Sequence, residues 1–151
     1  MQQAGEELQT EQLSVSSVPP EQLDFVWLQV RPMIRRGLKY GAGDSVSEAE
    51  IYTDIAEGKM LLWAVHSGDH VIAVLVLQVA QRARGLALIV ILAAGRDFWS
   101  WSYKVQDIIV DYAELIDAYT IEAVARDGMA KWLKELGWKK KAVIMELKNG
   151  R

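Results

Sequence analysis

A chain of 151 residues has the length of one domain and buries about two-thirds of the surface it exposes when unfolded, so a single core suffices. Its 17 basic and 20 acidic residues leave a net charge of −3, with no global attraction for nucleic acid or an anionic membrane. The absence of cysteine excludes disulfides, thiolate nucleophiles and cysteine-ligated metal, and fits a reducing cytoplasm. The opening "MQQAGEELQTEQ" is polar and acidic, without the apolar stretch of a signal peptide. Residues 1–11 therefore read as a polar tail, and 12–151 as one domain.

In chain order, "QLSVSSV" (Gln12 to Val18) has the character of a short strand, and Pro19 and Pro20 suit the first turn of a helix, where a missing N–H costs nothing. Leu23, Val26, Trp27, Val30, Ile34 and Leu38 recur at helical spacing, with Pro32 kinking the helix by removing the donor to the Leu28 carbonyl. "YGAGD" ends it. Ser47 and Glu50 stand at capping-box spacing ahead of Ile51 and Ile55, and Gly58 suits the end of a short second helix.

"MLLWAVH", the turn "SGD" and "VIAVLVLQVAQ" then give a hairpin, "RARG" a second turn, and "LALIVILAA" a third consecutive strand. Each apolar run is about half of a ~20-residue membrane span, and Arg82 and Arg84 separate them. Near-continuous apolar character, rather than alternation, predicts a sheet covered on both faces. From Asp97 onward Trp101, Val105, Ile108, Tyr112 and Leu115 share one helix face, opposite Lys104, Asp107, Asp111 and Glu114. "YTIEAVA" (Tyr119 to Ala125) reads as a strand, Asp127 as an N-cap, "GMAKWLKEL" as a helix stopped by Gly137, and "KAVIMELK" as a last strand. The predicted order is β-α-α-β-β-β-α-β-α-β. It makes an α/β (α+β) domain, with a mixed six-stranded sheet, helices on both faces and a right-handed crossover.

This order resembles the GNAT acyltransferase superfamily over nearly the whole chain. "LLWAV", the "LAAG" turn followed by tryptophans, and "VARDGMAKWLKELGW" carrying Arg126, Trp132, Leu133 and Gly137 resemble more specifically the small GNAT-like proteins of tailed bacteriophages. The resemblance implies a [Q/R]-x-x-G-x-[G/A] turn whose N–H groups cradle the diphosphate of acyl-CoA. It also implies a carboxylate base on the third or fourth strand of the meander, a tyrosine acid on the helix after the fifth strand, and a notch where the fourth and fifth strands splay.

The turn here is "AAGRDFWSW", which offers Gly95 and Arg96 as cofactor-binding candidates, then an aspartate that repels phosphate and two tryptophans. The alternative for the same residues is structural: Gly95 permits the turn, Asp97 or Ser100 caps the helix, and Trp99 and Trp101 pack on the sheet. Neither "VIAVLVLQVA" nor "LALIVILAA" holds a titratable residue, and "DGMAKWLKELGW" holds no tyrosine. Glu122, Tyr103 and Tyr119 are left as catalytic candidates, because acid–base catalysis asks for geometry and pKa rather than sequence position. His66 and His70 with Asp69 are too few for a metal site, so none is expected. Arg31, Arg35, Arg36 and Lys39, and the run Lys139 to Lys141, read as solvated basic faces.

Loop, base and acid all depart from the superfamily pattern. The first expectation is therefore a phage-encoded structural or assembly component of the virion that has lost acyl transfer and binds no cofactor, nucleic acid or membrane. It would meet other virion proteins or itself through Trp99, Arg96 and Arg126 at the notch, in the virion or the cytoplasm of the infected host. The alternative expectation is an active acyl-CoA-dependent N-acetyltransferase, taking acetyl-CoA and acting on a small amine or a protein amine.

Overall fold

Residues 13–42 and 46–150 are described in a computed structural model. Strand β1 (Leu13–Val18) leads through a 3-10 turn at Pro20–Gln22 into helix α1 (Leu23–Gly37), which continues past Pro32 into a π-type turn, Leu38–Ala42. Helix α2 (Glu48–Ala56) follows, with the Ser47 hydroxyl accepting the Glu50 N–H at 3.1 Å as the capping spacing predicts. Three long neighbours come next: β2 (Leu61–Ser67), β3 (His70–Arg82) and β4 (Gly85–Gly95). Helix α3 (Phe98–Leu115), β5 (Ala118–Ala123) and α4 (Asp127–Glu135) complete the regular elements. The predicted tail at 1–11, and Gly43 and Asp44 of "YGAGD", lie outside the described residues.

The strands pair in chain order as one sheet, antiparallel from β1 to β4, with β5 parallel to β4. Helix α3 supplies the crossover that a parallel neighbour requires. Both faces are covered, which accounts for the unbroken apolar runs. Val30 and Ile34 of α1 and Ile51 and Ile55 of α2 pack on Leu62, Ala64, Val74 and Val76, while Trp101, Val105 and Ile109 of α3 pack on Trp63, Val65, Leu75 and Leu77. No helix among the described residues is long and apolar enough to cross a membrane.

Three sequence expectations change. The described sheet has five strands rather than six, because "KAVIMELK" forms no strand and leaves Ile144, Met145 and Leu147 84%, 86% and 97% exposed. Strand propensity is expressed only against a partner edge, and this segment is held beside β5 by Lys141 donating to Glu122. The buried face of α3 is rotated from the predicted one: Trp101, Ser102, Val105, Ile109 and Ala113 face inward, and Leu115 is exposed. Arg126 rather than Asp127 is the N-cap of α4, and Gly137 ends the chain segment after it with φ +98°.

Two irregularities shape the end of the sheet that matters most. Val76 pairs with Leu92 and Leu77 with Val90, so Ile91 is an extra residue in β4. A bulge of this kind bends and twists its strand, and pairing with β5 stops there, at Val90 and Ala123. The second bulge is in β3, where Val65 pairs with Ala73 and His66 with Val71, and on the β4 side the Ile72 carbonyl accepts the Arg96 N–H at 3.2 Å, one bond beyond the Ala73–Gly95 pair.

Candidate functional site

Past the bulge at Ile91, residues Leu92 to Gly95 of β4 remain paired with β3 but, among the described residues, have no strand paired with them on the β5 side. The two strands therefore open into a slit, and a cavity of about 250 Å³ lies along it between α3 and α4. Its walls are mainly apolar, with Phe98, Trp101 and Val105 from α3, Met129, Trp132 and Leu133 from α4, and β4 behind. Arg36, Gly37 and Tyr40 close the α1 side. Helix α1 comes this near because Gly37 has no side chain: a Cβ there would sit 2.8–2.9 Å from Leu92.

Few polar side chains line the cavity. Gln106 is already engaged, donating to the Leu136 carbonyl at 2.9 Å and accepting the Trp138 indole N–H at 2.7 Å. Ser102 is not: its hydroxyl is buried, the residue 3% exposed, and no hydrogen-bond partner lies within reach among the described residues. A buried hydroxyl left unpaired costs about 1–3 kcal/mol. The position was legible, since 98, 102, 105 and 109 follow helical spacing and put one serine inside an apolar stripe. Tyr40 carries the only titratable hydroxyl on the walls, and no aspartate, glutamate or histidine lines them among the described residues.

The turn that closes the slit uses its residues differently from a phosphate loop. At Gly95 a Cβ would stand 2.4 Å from the Ala73 Cβ and 2.5 Å from the Ile72 carbonyl oxygen, so the glycine is required by the approach of β3. Arg96 is exposed, and its backbone is tied on both sides, the N–H to Ile72 and the carbonyl to the Trp101 indole N–H at 2.8 Å. Its side chain borders a second, wider cleft that Arg36 and His70 also line. Asp97 occupies the N-cap position at φ +50° without a side-chain cap, and the Ser100 hydroxyl donates to the Asp97 carbonyl at 2.7 Å. Asp97 thus stands at the expected N-cap position of α3 without a side-chain capping bond, and Ser100 lies inside the first turn.

Trp101 packs on the sheet as predicted, but Trp99 does not. It is 38% exposed and meets Phe98 edge-to-face at a centroid distance of 5.1 Å and Trp132 at 6.1 Å, inclined 50°. Tyr103 sits one turn further along α3, 5.9 Å from Trp99 and exposed. Arg126 is exposed at the start of α4. Arg96, Trp99 and Tyr103 thus lie in or just before the first two turns of α3, with Arg126 at the start of α4 and Trp132 further along it.

Glu122 and Tyr119 are placed elsewhere. Glu122 does not line the cavity; it accepts from Lys141 and from Arg82 at 2.7 Å, and these cations hold its carboxyl below the usual carboxylate range. Tyr119 is the second residue of β5, next to Gly85 at the opposite end of β4, with the Arg84 guanidinium 5.0 Å above its ring. A depressed carboxylate pKa contributes stability above the unfolded value, near 4.3, and loses it as pH falls through the folded value. Glu122→Gln is accordingly expected to flatten the fall in stability between about pH 5 and pH 3 without moving any activity measured at pH 7. Urea titrations across that range check the first half, and turnover that vanishes in the variant would restore Glu122 as the base.

His66 shares a hydrogen bond with Ser16 at 2.8 Å, and no cluster of metal-ligating side chains occurs among the described residues. Of the basic strip on α1, Arg31 and Arg35 both pair with Glu48, at 2.9 and 2.8 Å.

No protein-family model matches the sequence, and no curated protein matches it. Solved structures do. An aminoglycoside acetyltransferase from an uncultured soil metagenomic sample, in complex with sisomicin, superposes with a TM-score of 0.69 at 7% identity, over 91% of this chain and 97% of that one. A predicted acetyltransferase with acetyl-CoA from Clostridium acetobutylicum gives 0.63 at 12% identity, covering 90% and 96%. The ribosomal-protein-alanine N-acetyltransferase of Brucella melitensis biovar Abortus gives 0.67 at 7% identity, covering 90% and 99%. With a meander, an α3 crossover and a slit where β4 outruns β5, this chain has the fold of the GNAT acetyltransferases.

Proposed function

We propose that the protein is an acyl-CoA-dependent N-acyltransferase that binds the pantetheine arm of its donor in the slit between β4 and β5. The observation that carries this reading is the free edge of β4 from Ile91 to Ala94, bordered by an apolar cavity. An extended arm with two amides needs backbone partners along its length and apolar walls elsewhere. The free edge and the unpaired Ser102 hydroxyl fit both needs. The donor supplies an activated acyl group, and the protein's part is to hold it against the slit, with Tyr40 near the α1 side as the group able to give up or receive a proton.

A donor present at 100 times its dissociation constant adds about 2.7 kcal/mol to stability. For a chain of this size the melting temperature then rises by roughly 5–10 °C. A melting series with acetyl-CoA up to millimolar concentration tests binding, and release of free thiol in the presence of a panel of amines tests transfer. A flat melting curve overturns the proposal.

A second reading is favoured by the absence of any carboxylate or imidazole among the described cavity walls: the fold binds its ligand, or a virion partner at the slit, without transfer. It predicts the melting shift without thiol release, or presence of the protein in purified virions with neither.

A further inference from the structure

The wider cleft beside the β4–α3 turn is not used by a donor lying in the slit. It measures about 860 Å³ and lies between the second half of α1, the start of β3 and the turn that ends β4. Its charged and ionisable walls come from all three elements: Arg36 of α1, His70 of β3, and Arg96 with Asp97 of the turn. Asp97 offsets one guanidinium, so the walls keep a positive excess in a chain whose net charge is −3. Arg31 and Arg35 both pair with Glu48, whereas Arg36 and Arg96 make no ion pair among the described residues. A guanidinium meets carboxylate or phosphate oxygens with paired N–H donors, and a cleft concentrates the field of the cations that line it.

Arg36 and Gly95 line both this cleft and the slit, so the two spaces meet there, while Arg96 lines the cleft alone. Tyr40, the ionisable hydroxyl of the slit, follows Arg36 by four residues, about one turn further along the same helical run. We infer that the cleft seats the acceptor, and that the acceptor is a small amine carrying its own anionic group, a carboxylate or a phosphate. This rests on the acyltransferase reading above and adds to it the class of amine. Arg36, Arg96 and His70 hold the anion, and the amine at the other end of a short molecule reaches the mouth of the slit on the Tyr40 side. There the amine nitrogen bonds to the acyl carbon as the carbon–sulfur bond breaks, and the proton that the amine loses ends on the departing sulfur. The same walls reject a polyamine, whose additional ammonium groups would face two guanidinium groups.

The test compares matched amines with acetyl-CoA as donor: phosphoethanolamine against ethanolamine, β-alanine against β-alaninamide, and spermidine as the polycation. Thiol release by the full chain gives KM for each amine, and melting curves report the binding of each amine, and of acetyl-CoA, on its own. The expected result is a KM at least tenfold lower for an anionic amine than for its counterpart, and the pair that shows the larger ratio identifies phosphate or carboxylate as the group held. Arg96→Gln alters an exposed side chain whose backbone anchors remain, so the fold is retained. It is expected to raise that KM about tenfold, or 1.4 kcal/mol, and to leave acetyl-CoA binding as in the parent. Acetyl-CoA binding that weakens in Arg96→Gln assigns the arginine to the donor and overturns the inference. Thiol release that is indifferent to the anionic group, or fastest with spermidine, overturns it while leaving the acyltransferase reading intact. A melting shift with phosphoethanolamine or β-alanine that Arg96→Gln abolishes, in a protein that does not respond to acetyl-CoA, supports the anion site and overturns the acyltransferase reading.

Discussion

Gly95→Ala is expected to lower the melting temperature by roughly 6–12 °C, the equivalent of about 3 kcal/mol for a domain of this length. The new Cβ would fall 2.4 Å from the Ala73 Cβ, 2.5 Å from the Ile72 carbonyl oxygen and 2.7 Å from the Ala73 Cα. None of these atoms is the far end of a flexible side chain. All belong to β3, which is paired on its other side with β2 and buried there, so relief requires moving a sheet strand at its bulge. Gly58→Ala is the useful contrast. That position has φ +76° with nothing within 4 Å of a Cβ, so the substitution meets only the intrinsic left-handed penalty of about 1 kcal/mol. Thermal denaturation of the two variants separates contact from conformation. Equal, small losses in both would mean that β3 yields to the added methyl, and that the glycine is kept for the turn alone.

That comparison bears on how much of the site was legible in the sequence. A glycine after an apolar strand and before a helix has two physical explanations, backbone freedom for a ligand and close approach of a neighbouring strand, and the sequence does not distinguish them. The neighbour responsible, the Ile72–Ala73 bulge, is over twenty residues away and has no local signature. The strands themselves were readable because burial on both faces selects apolar residues at every position, and the crossover followed from their order. The slit was expected from the resemblance alone and could not be read from the residues, because it depends on one unmatched residue, Ile91, within an unbroken apolar run. Ser102 was accessible to helical arithmetic once the buried face of α3 was phased on Ile109 rather than Ile108 and Leu115. "KAVIMELK" misled in the opposite direction: it has the composition of a strand, and propensity cannot supply an edge to pair with. Trp132 reads as one apolar position in a short amphipathic helix, and only the placement of α4 beside the start of α3 turns it into part of a surface.

Trp101 joins these features, and its substitution is expected to have the largest effect of any at the site. The side chain is 3% exposed, packs on the sheet core, supports Phe98 at 5.2 Å, and donates its indole N–H to the Arg96 carbonyl at 2.8 Å. Truncating a buried tryptophan to alanine costs about 3–5 kcal/mol, so Trp101→Ala should melt roughly 10–15 °C below the parent. Trp101→Phe isolates the tether. It keeps an aromatic ring against Phe98 and the sheet, and gives up the hydrogen bond to the turn, worth about 1 kcal/mol. If the tether only stabilises the fold, Trp101→Phe loses a few degrees in melting temperature and binds acetyl-CoA as the parent does. If it also sets the position of the β4–α3 turn, the affinity falls by more than the small stability change accounts for, because Phe98 and the rings above it then lose their fixed register with the slit. The second outcome is the expected one: Arg96 is held at its N–H by Ile72 and at its carbonyl by Trp101, and releasing one of two anchors frees the turn to rotate about the other.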